Sequence, residues 1–533
     1  MLRCRPARML KIALLLAMLT SAAIPGAWAQ GDDDLSALGR QFRELSQQGK
    51  YAEAAAMAQR ALELAERLNP QDQLALAPFL DNLAFGYYAL GRMGEAEPLI
   101  ARALAIREKA LGPDHIDVGL SLSALGTVYL DEDRTAEAEP VLKRALAIRE
   151  KALGPDHPLV AMTLNNLAGL YERQARAAAA EPLYKRALAI REKTLGPDHP
   201  DLAQSLSNLA ELYRGQGRSS EAEALQAHAL AIREKAFGPT HPLVGLSLNN
   251  LALVYQAQGR LAQAEPLFQR TIAITETAFG RDNRYLGERL NNLAELYRVQ
   301  GRLAEAEPLY ERSRGILEKA LGPNNTTVAY SLNNLALLHF AKGRAAEAEP
   351  LFKRALAIDE KVLGDNHPAL SKVLNNLAEL YRGQGRFAEA EPLYKRAIAI
   401  DERALGPDHP EVGVLLNNLA ELYRNQGRLA EAEPLYQHAL AISEKAQGPD
   451  HVWVANTLNN LALLYQAQGR MAQAEPLFTR ALAITEKAVG PDHPDMIKML
   501  NNLAALYQAE GRSADAEPLR QRVLAVREKA QPK

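Results

Sequence analysis

The chain has 533 residues, too many for one ordinary core, and its 47% hydrophobic and 24% charged content excludes a disordered chain or a polytopic membrane protein. Aromatic residues make up only 6%, which suits helices packed through Ala and Leu better than sheets. The net charge of -2 includes the cations Arg3, Arg5, Arg8 and Lys11, so the remainder is mildly acidic and nucleic acid is excluded as a general partner.

Those four cations precede an apolar run from Ile12 to Leu19 and the small-x-small pattern Ala27, Trp28, Ala29. This is the order of a secretory signal peptide over residues 1–29, with cleavage expected after Ala29 and a periplasmic or secreted destination. The other reading, a membrane anchor, asks a short apolar run to span a bilayer. The sole cysteine, Cys4, lies upstream of the run, so the exported chain has no thiol, disulfide or Cys-based metal site.

The rest of the chain, residues 30–533, repeats with a period of 42. Pro98, Pro140, Pro182 and Pro266 through Pro518 fall on one grid, with Ala224 at its only gap, and about twelve repeats fit. The first, over 35–68, is degenerate: Gly49, Lys50 and Ala54 align with Gly91, Arg92 and Ala96, but the Asn-rich motif is missing.

Each repeat reads as two helices. Leu374, Leu377, Ala378 and Tyr381 form the apolar stripe of a first helix, and Gly385 and Arg386 make a tight turn. A second helix buries Ala390, Tyr394, Ala397 and Ile400 and ends at Gly406, before Pro407. Asp408 is the candidate cap of the next helix, with Pro410 in its first turn. Pro392 leaves two readings: the second helix starts near Glu389, or it starts earlier and is bent.

Two regions depart from the pattern. Over 271–330, Arg281, Asp282, Asn283 and Arg284 replace PDHP, Ser313 and Gly315 dilute a helix, and Asn324 and Asn325 alter a loop, through drift or as a local contact or hinge. In the last repeat Arg520 and Val523 replace an aromatic residue and an alanine, so residues 513–530 read as a C-terminal cap.

The residue types at Leu377, Ala378, Tyr381, Gly385, Ala390, Tyr394 and Ala397 resemble the tetratricopeptide signature. The 42-residue spacing with NNLAELY, EPLYKRALAI and LGPDHP is similar to the kinesin-light-chain-like branch of that superfamily, over roughly 35–533. The resemblance implies an all-α fold, a right-handed solenoid of helix-turn-helix repeats whose concave groove binds peptides or protein segments. It does not imply a motor, because the heptad coiled coil of kinesin light chains is absent.

Repeated polar residues sort into ladders. The arginines after the turn, Arg92 through Arg512, and the glutamates five residues later read as structural ion pairs or carbonyl contacts. Eight histidines, His115, His157, His199, His241, His367, His409, His451 and His493, share one loop position; stacked repeats cannot converge them on a metal ion, so loop and cap bonding is expected. Asn166, Asn208, Asn250, Asn292, Asn334, Asn376, Asn418, Asn460 and Asn502 share a mid-helix position that helix arithmetic turns away from the stripe. The resemblance implies that such asparagines line the groove and hold peptide backbone or a carboxylate; the competing reading is a structural ladder between repeats.

Further along the same face the residues vary. Leu253, Leu337, Phe340 and Leu463 would be needlessly exposed there without a partner, while Arg214, Arg298, Arg382 and Arg424 follow a glutamate by three, as solvated pairs or as ligand contacts. No GxSxG, HExxH, P-loop or dinucleotide motif occurs, so neither an enzyme nor a cofactor is expected. The sequence therefore points to an exported, non-enzymatic scaffold for a protein or peptide ligand, or to an envelope component that assembles with copies of itself.

Overall fold

The computed structural model describes residues 32–48, 50–68, 70–132, 134–174 and 176–530, so the expected signal peptide over 1–29, with Cys4, lies outside the described residues. The chain divides into two compact units at Arg281 and Asp282. The described residues of each unit are all-α, a solenoid of paired helices in which every helix packs on its chain neighbours. The N-terminal unit runs from helix Asp32–Gln47 to Leu261–Phe279, and the C-terminal unit from Arg284–Val299 to Ser513–Ala530.

One repeat shows why these residues fold this way. In the first helix, Ala369–Gly383, Leu374, Leu377, Ala378 and Tyr381 are buried, as the stripe predicts. Gly385 then takes φ 74°, open to glycine without strain, and Arg386 opens the second helix, Phe387–Leu405. Ala390, Tyr394, Ala397 and Ile400 meet the stripe of their own repeat, and Val412, Leu419 and Ala420 of the next join the same core. Alanines let the helices approach while the tyrosines fill the space between.

Pro392 lies well inside its helix, which starts at Phe387, so the earlier start is the one adopted. The proline stands too far from the N-terminus for its missing amide to be harmless, and the carbonyl of Ala388 loses its regular donor.

The cap expected of Asp408 belongs to His409. His409 is extended (φ -76°, ψ 142°) immediately before the first helical residue, and its Nδ1 accepts from Glu411 N at 3.2 Å. Asp408 stands one residue too early and binds Lys445 Nζ at 2.6 Å instead. The divergent loops keep this device, since Asn283 and Asn325 accept from the amides of Tyr285 and Thr327, each at 2.9 Å.

At the end of the chain, helix Ser513–Ala530 buries Val523 and Val526 and leaves Leu524 half exposed, while Arg520 binds Gln508 Oε1 at 2.8 Å.

Candidate protein-binding face

The asparagines of the first helices bond to one another. In the C-terminal unit Asn502 donates to Asn459, Asn460 to Asn417, Asn418 to Asn375, Asn376 to Asn333 and Asn334 to Asn291, at 2.7 to 3.3 Å. Within repeats Asn459, Asn417, Asn375 and Asn333 each donate to the following asparagine at 3.3 to 3.5 Å, which joins all ten amides into one chain. The pattern needs both residues of the NN pair. The first of each pair escapes a reading of one helix because its partner lies in the next repeat.

These bonds revise the expectation that the asparagines stand clear of the core. Asn334 is 5% exposed and Asn292 9%, while Asn376, Asn418, Asn460 and Asn502 are half-buried. Each lies off the apolar stripe but in the seam between adjacent first helices, where an unbonded amide would be costly. In the N-terminal unit Asn208 donates to Asn165 at 3.4 Å, Asn166 to Thr127 Oγ1 at 3.4 Å, and Asn250 accepts from Asn249 at 3.4 Å. All three are half-buried.

The variable row is tied to the second helix. Tyr310 Oη donates to Glu295 at 2.6 Å and Tyr394 to Glu379, while Arg298 binds Glu295 at 2.7 Å and Arg382 binds Glu379 at 2.6 Å and Glu421 at 3.1 Å. Burial raises the pKa of both tyrosines, so each remains a hydroxyl donor. Arg424 stands 3.8 Å from Glu421, and Arg214 Nε donates to Glu211 at 2.9 Å.

Repeats with leucine in place of that glutamate carry phenylalanine in place of the tyrosine: Leu253 with Phe268, Leu337 with Phe352, Leu463 with Phe478. In these three repeats the hydroxyl and its acceptor are absent together, whereas Tyr184 stands opposite Gly169 and donates to Glu172 instead, and Glu211 stands opposite Gln226. Leu253, Leu337, Phe340 and Leu463 are half-buried, so the expectation that they are needlessly exposed is corrected. Leu337, Phe340 and Leu463 pack against the core that contains Phe352 and Phe478.

A row missed in the sequence lies one helical turn before the asparagines. Met162, Gln204, Leu246, Glu288, Tyr330, Lys372, Val414, Asn456 and Lys498 occupy it, and no two successive repeats agree. Lys372, Asn456 and Lys498 are exposed, and Trp453, one residue short of a further turn before, is 49% exposed. Comparing the column across repeats would have shown the variation.

The uniform ladders are structural. Arg386 lies over the Tyr381 ring, 4.0 Å from its centroid, and binds Glu349 of the preceding repeat and Glu389 of its own, each at 2.7 Å. The histidine row caps helices, with Nδ1 of His115, His157, His199, His241, His367, His451 and His493 accepting from the amide two residues on, as for His409. Among the described residues no group of three His, Cys, Asp or Glu could hold a metal ion, and no helix is long and apolar enough to cross a membrane.

A tetratricopeptide repeat model matches residues 75–151, 120–193, 160–235, 201–277, 285–361, 327–403, 369–445, 411–487 and 453–529, and a second matches 43–73. The chain belongs to the tetratricopeptide repeat family. Its repeats are of the kinesin-light-chain-like type. BtubC (BKLC) from P. vanneervenii is 26% identical over 44% of this chain and 94% of its own, with a TM-score of 0.37. The nearly identical kinesin-light-chain-type TPR-like repeats of Podosopora anserina are 29% identical over 39% of this chain and 98% of their own, with a TM-score of 0.33. Rap protein complexed with competence and sporulation factor is 16% identical over 70% of this chain and 99% of its own, with a TM-score of 0.49. No curated protein matches the chain. Tetratricopeptide arrays are, as a class, protein-binding scaffolds built from repeats that are stable only when stacked.

Proposed function

We propose that this tetratricopeptide array is a non-enzymatic scaffold, exported to the cell envelope, that holds an extended protein segment along the faces of its first helices. The observation that carries this reading is the distribution of difference among the repeats. Stripe, turn, cap and ion-pair positions are nearly constant, whereas the two rows flanking the asparagines change from one repeat to the next. Stability needs the constant positions; a row that varies from repeat to repeat and is exposed at Lys372, Asn456 and Lys498 reads a ligand.

The amides remain part of the grip. Asn334, Asn376, Asn418 and Asn460 each spend one N–H and one lone pair on their neighbours and keep a second of each for peptide backbone. Specificity comes from Lys372, Trp453, Asn456 and Lys498 more than from the amides.

The deciding experiment is capture from envelope extract by the full chain and by a Lys372→Glu, Trp453→Ala, Asn456→Ala variant. These side chains are exposed, so melting should be unchanged while retention of the wild-type partner falls at least tenfold. Equal retention would remove the basis of the reading. Sedimentation at tens of micromolar separates it from self-assembly, which requires oligomers.

A further inference from the structure

Two consecutive repeats carry the same three polar residues on the face beside the asparagines: Glu379, Arg382 and Tyr394, then Glu421, Arg424 and Tyr436. Nowhere else in the sequence do two such repeats adjoin. Glu211 with Arg214 is followed by Leu253, Glu295 with Arg298 by Leu337, and Arg424 itself by Leu463.

In two of the sets the glutamate is held within its own repeat. Glu295 accepts from Tyr310 Oη at 2.6 Å and from Arg298 Nη2 at 2.7 Å. Glu379 accepts in the same way from Tyr394 and, at 2.6 Å, from Arg382 Nη2. Glu421 departs from them. It accepts from Arg382 Nη1 of the preceding repeat at 3.1 Å and stands 3.8 Å from its own Arg424, too far for a hydrogen bond. Tyr436 is fully buried, and neither its hydroxyl nor the buried Nε of Arg424 has a hydrogen-bond partner. Burial pushes Tyr436 up to about 12, so it remains a hydroxyl donor at neutral pH. Arg424 and Arg382 act on it in the opposite direction and Glu421 in the same one, so all three charges stand near that hydroxyl.

Glu421 is therefore claimed from two sides. Bonded to Arg382, it leaves a buried hydroxyl and a guanidinium nitrogen without an acceptor, which is costly. Turned back to Tyr436 and Arg424, as in the two sister sets, it satisfies both. It then gives up one ion pair whose partners are 20% and 27% exposed, where such a pair is weak. The turn needs side-chain torsions alone, because Glu295 and Glu379 reach their tyrosines from the equivalent helix position.

We propose that Glu421 is a two-position switch. In one position it ties its repeat to the preceding one through Arg382 and leaves Arg424 free for a guest; in the other it closes on Tyr436 and Arg424 and releases the tie. The switch deepens the proposed function and rests on it for the claim that this face meets a guest. A guest that engages Arg424 holds Glu421 on Arg382, so contact at one repeat tightens the junction with its neighbour.

The test is fluorine NMR of the full chain with fluorotyrosine placed at position 436 and, in a second sample, at 394. The label at 436 should give two signals, or one broadened by exchange, while the label at 394 gives one. Arg382→Gln removes the competing partner and should leave only the signal of the bonded hydroxyl. Glu421→Leu should leave only that of the unbonded one, and it should fold because Leu463 occupies the same position in the next repeat. A single sharp signal at 436 that Arg382→Gln moves further than it moves the label at 394 supports the switch in fast exchange. A signal that Arg382→Gln moves no further than that overturns it, and so does equal splitting at 394, where ring flipping would be the cause. If the switch fails while Lys372, Trp453 and Asn456 still govern capture, the scaffold reading stands; if capture fails while the signals still respond, the switch stands as a property of the fold.

Discussion

Asn418 donates its amide hydrogen to Oδ1 of Asn375, one repeat earlier, at 2.9 Å. The pair makes the asparagine row part of the frame that it was expected merely to decorate. Replacing Asn418 by Ala improves helix propensity yet strips Asn375 of a donor and Asn417 of an acceptor. The net effect should be a loss of about 1–3 kcal/mol, read from urea unfolding. A neutral or stabilised variant would show that the bonds contribute nothing.

The match between Tyr394 and Glu379 predicts a coupling. Glu379→Leu alone leaves the buried hydroxyl without its acceptor and should cost about 1–3 kcal/mol. Adding Tyr394→Phe recreates the pairing of Leu337 with Phe352 and should recover most of it. A double-mutant cycle checks this, and additive losses would sink it.

Asp359 predicts a dependence on pH. Its carboxyl is 0% exposed and neither oxygen has a hydrogen-bond partner, and burial raises its pKa to about 7. His367 acts on it in the opposite direction. A folded value above the unfolded one, near 4, means that the neutral form favours folding. The stability is complete below about pH 4 and is lost as pH rises toward about 7, by on the order of 1 kcal/mol per unit. Asp359→Asn should therefore raise the melting temperature at pH 8, change it little at pH 4, and flatten the profile between. Asp401, raised to about 6, should give a shorter window.

Capping predicts a graded series at His409. Asn already does this work at Asn283 and Asn325, so His409→Asn should be nearly neutral, whereas His409→Ala should cost about 1 kcal/mol. Thermal melting of the two variants separates them, and equal losses would rule out the side-chain cap.

The helices were legible because each repeat restates the same stripe, glycines and turn, and because apolar spacing within one helix is a local property. What crosses between repeats was not. The arithmetic that turned Asn376 away from Leu374 was sound, but it could not place Asn333 against it. The half-burial of Leu337 depends on the core that holds Phe352, in a different helix. Arg191 went unnoticed because it sits beside charged Glu192 and Lys193, where a solvated residue is the ordinary reading; only packing shows it buried. The cap passed from Asp408 to His409 because the helix begins one residue later than an aspartate cap requires.

The Arg386 to Glu349 bond spans 37 residues and the Asn418 to Asn375 bond 43, and both distances are close to the period itself. Each hairpin therefore carries a socket for its predecessor and a plug for its successor. Duplicating a single 42-residue block would lengthen such an array with every new junction already furnished, so an ancestor could have grown its reach by copying and tuned only the faces that meet a guest.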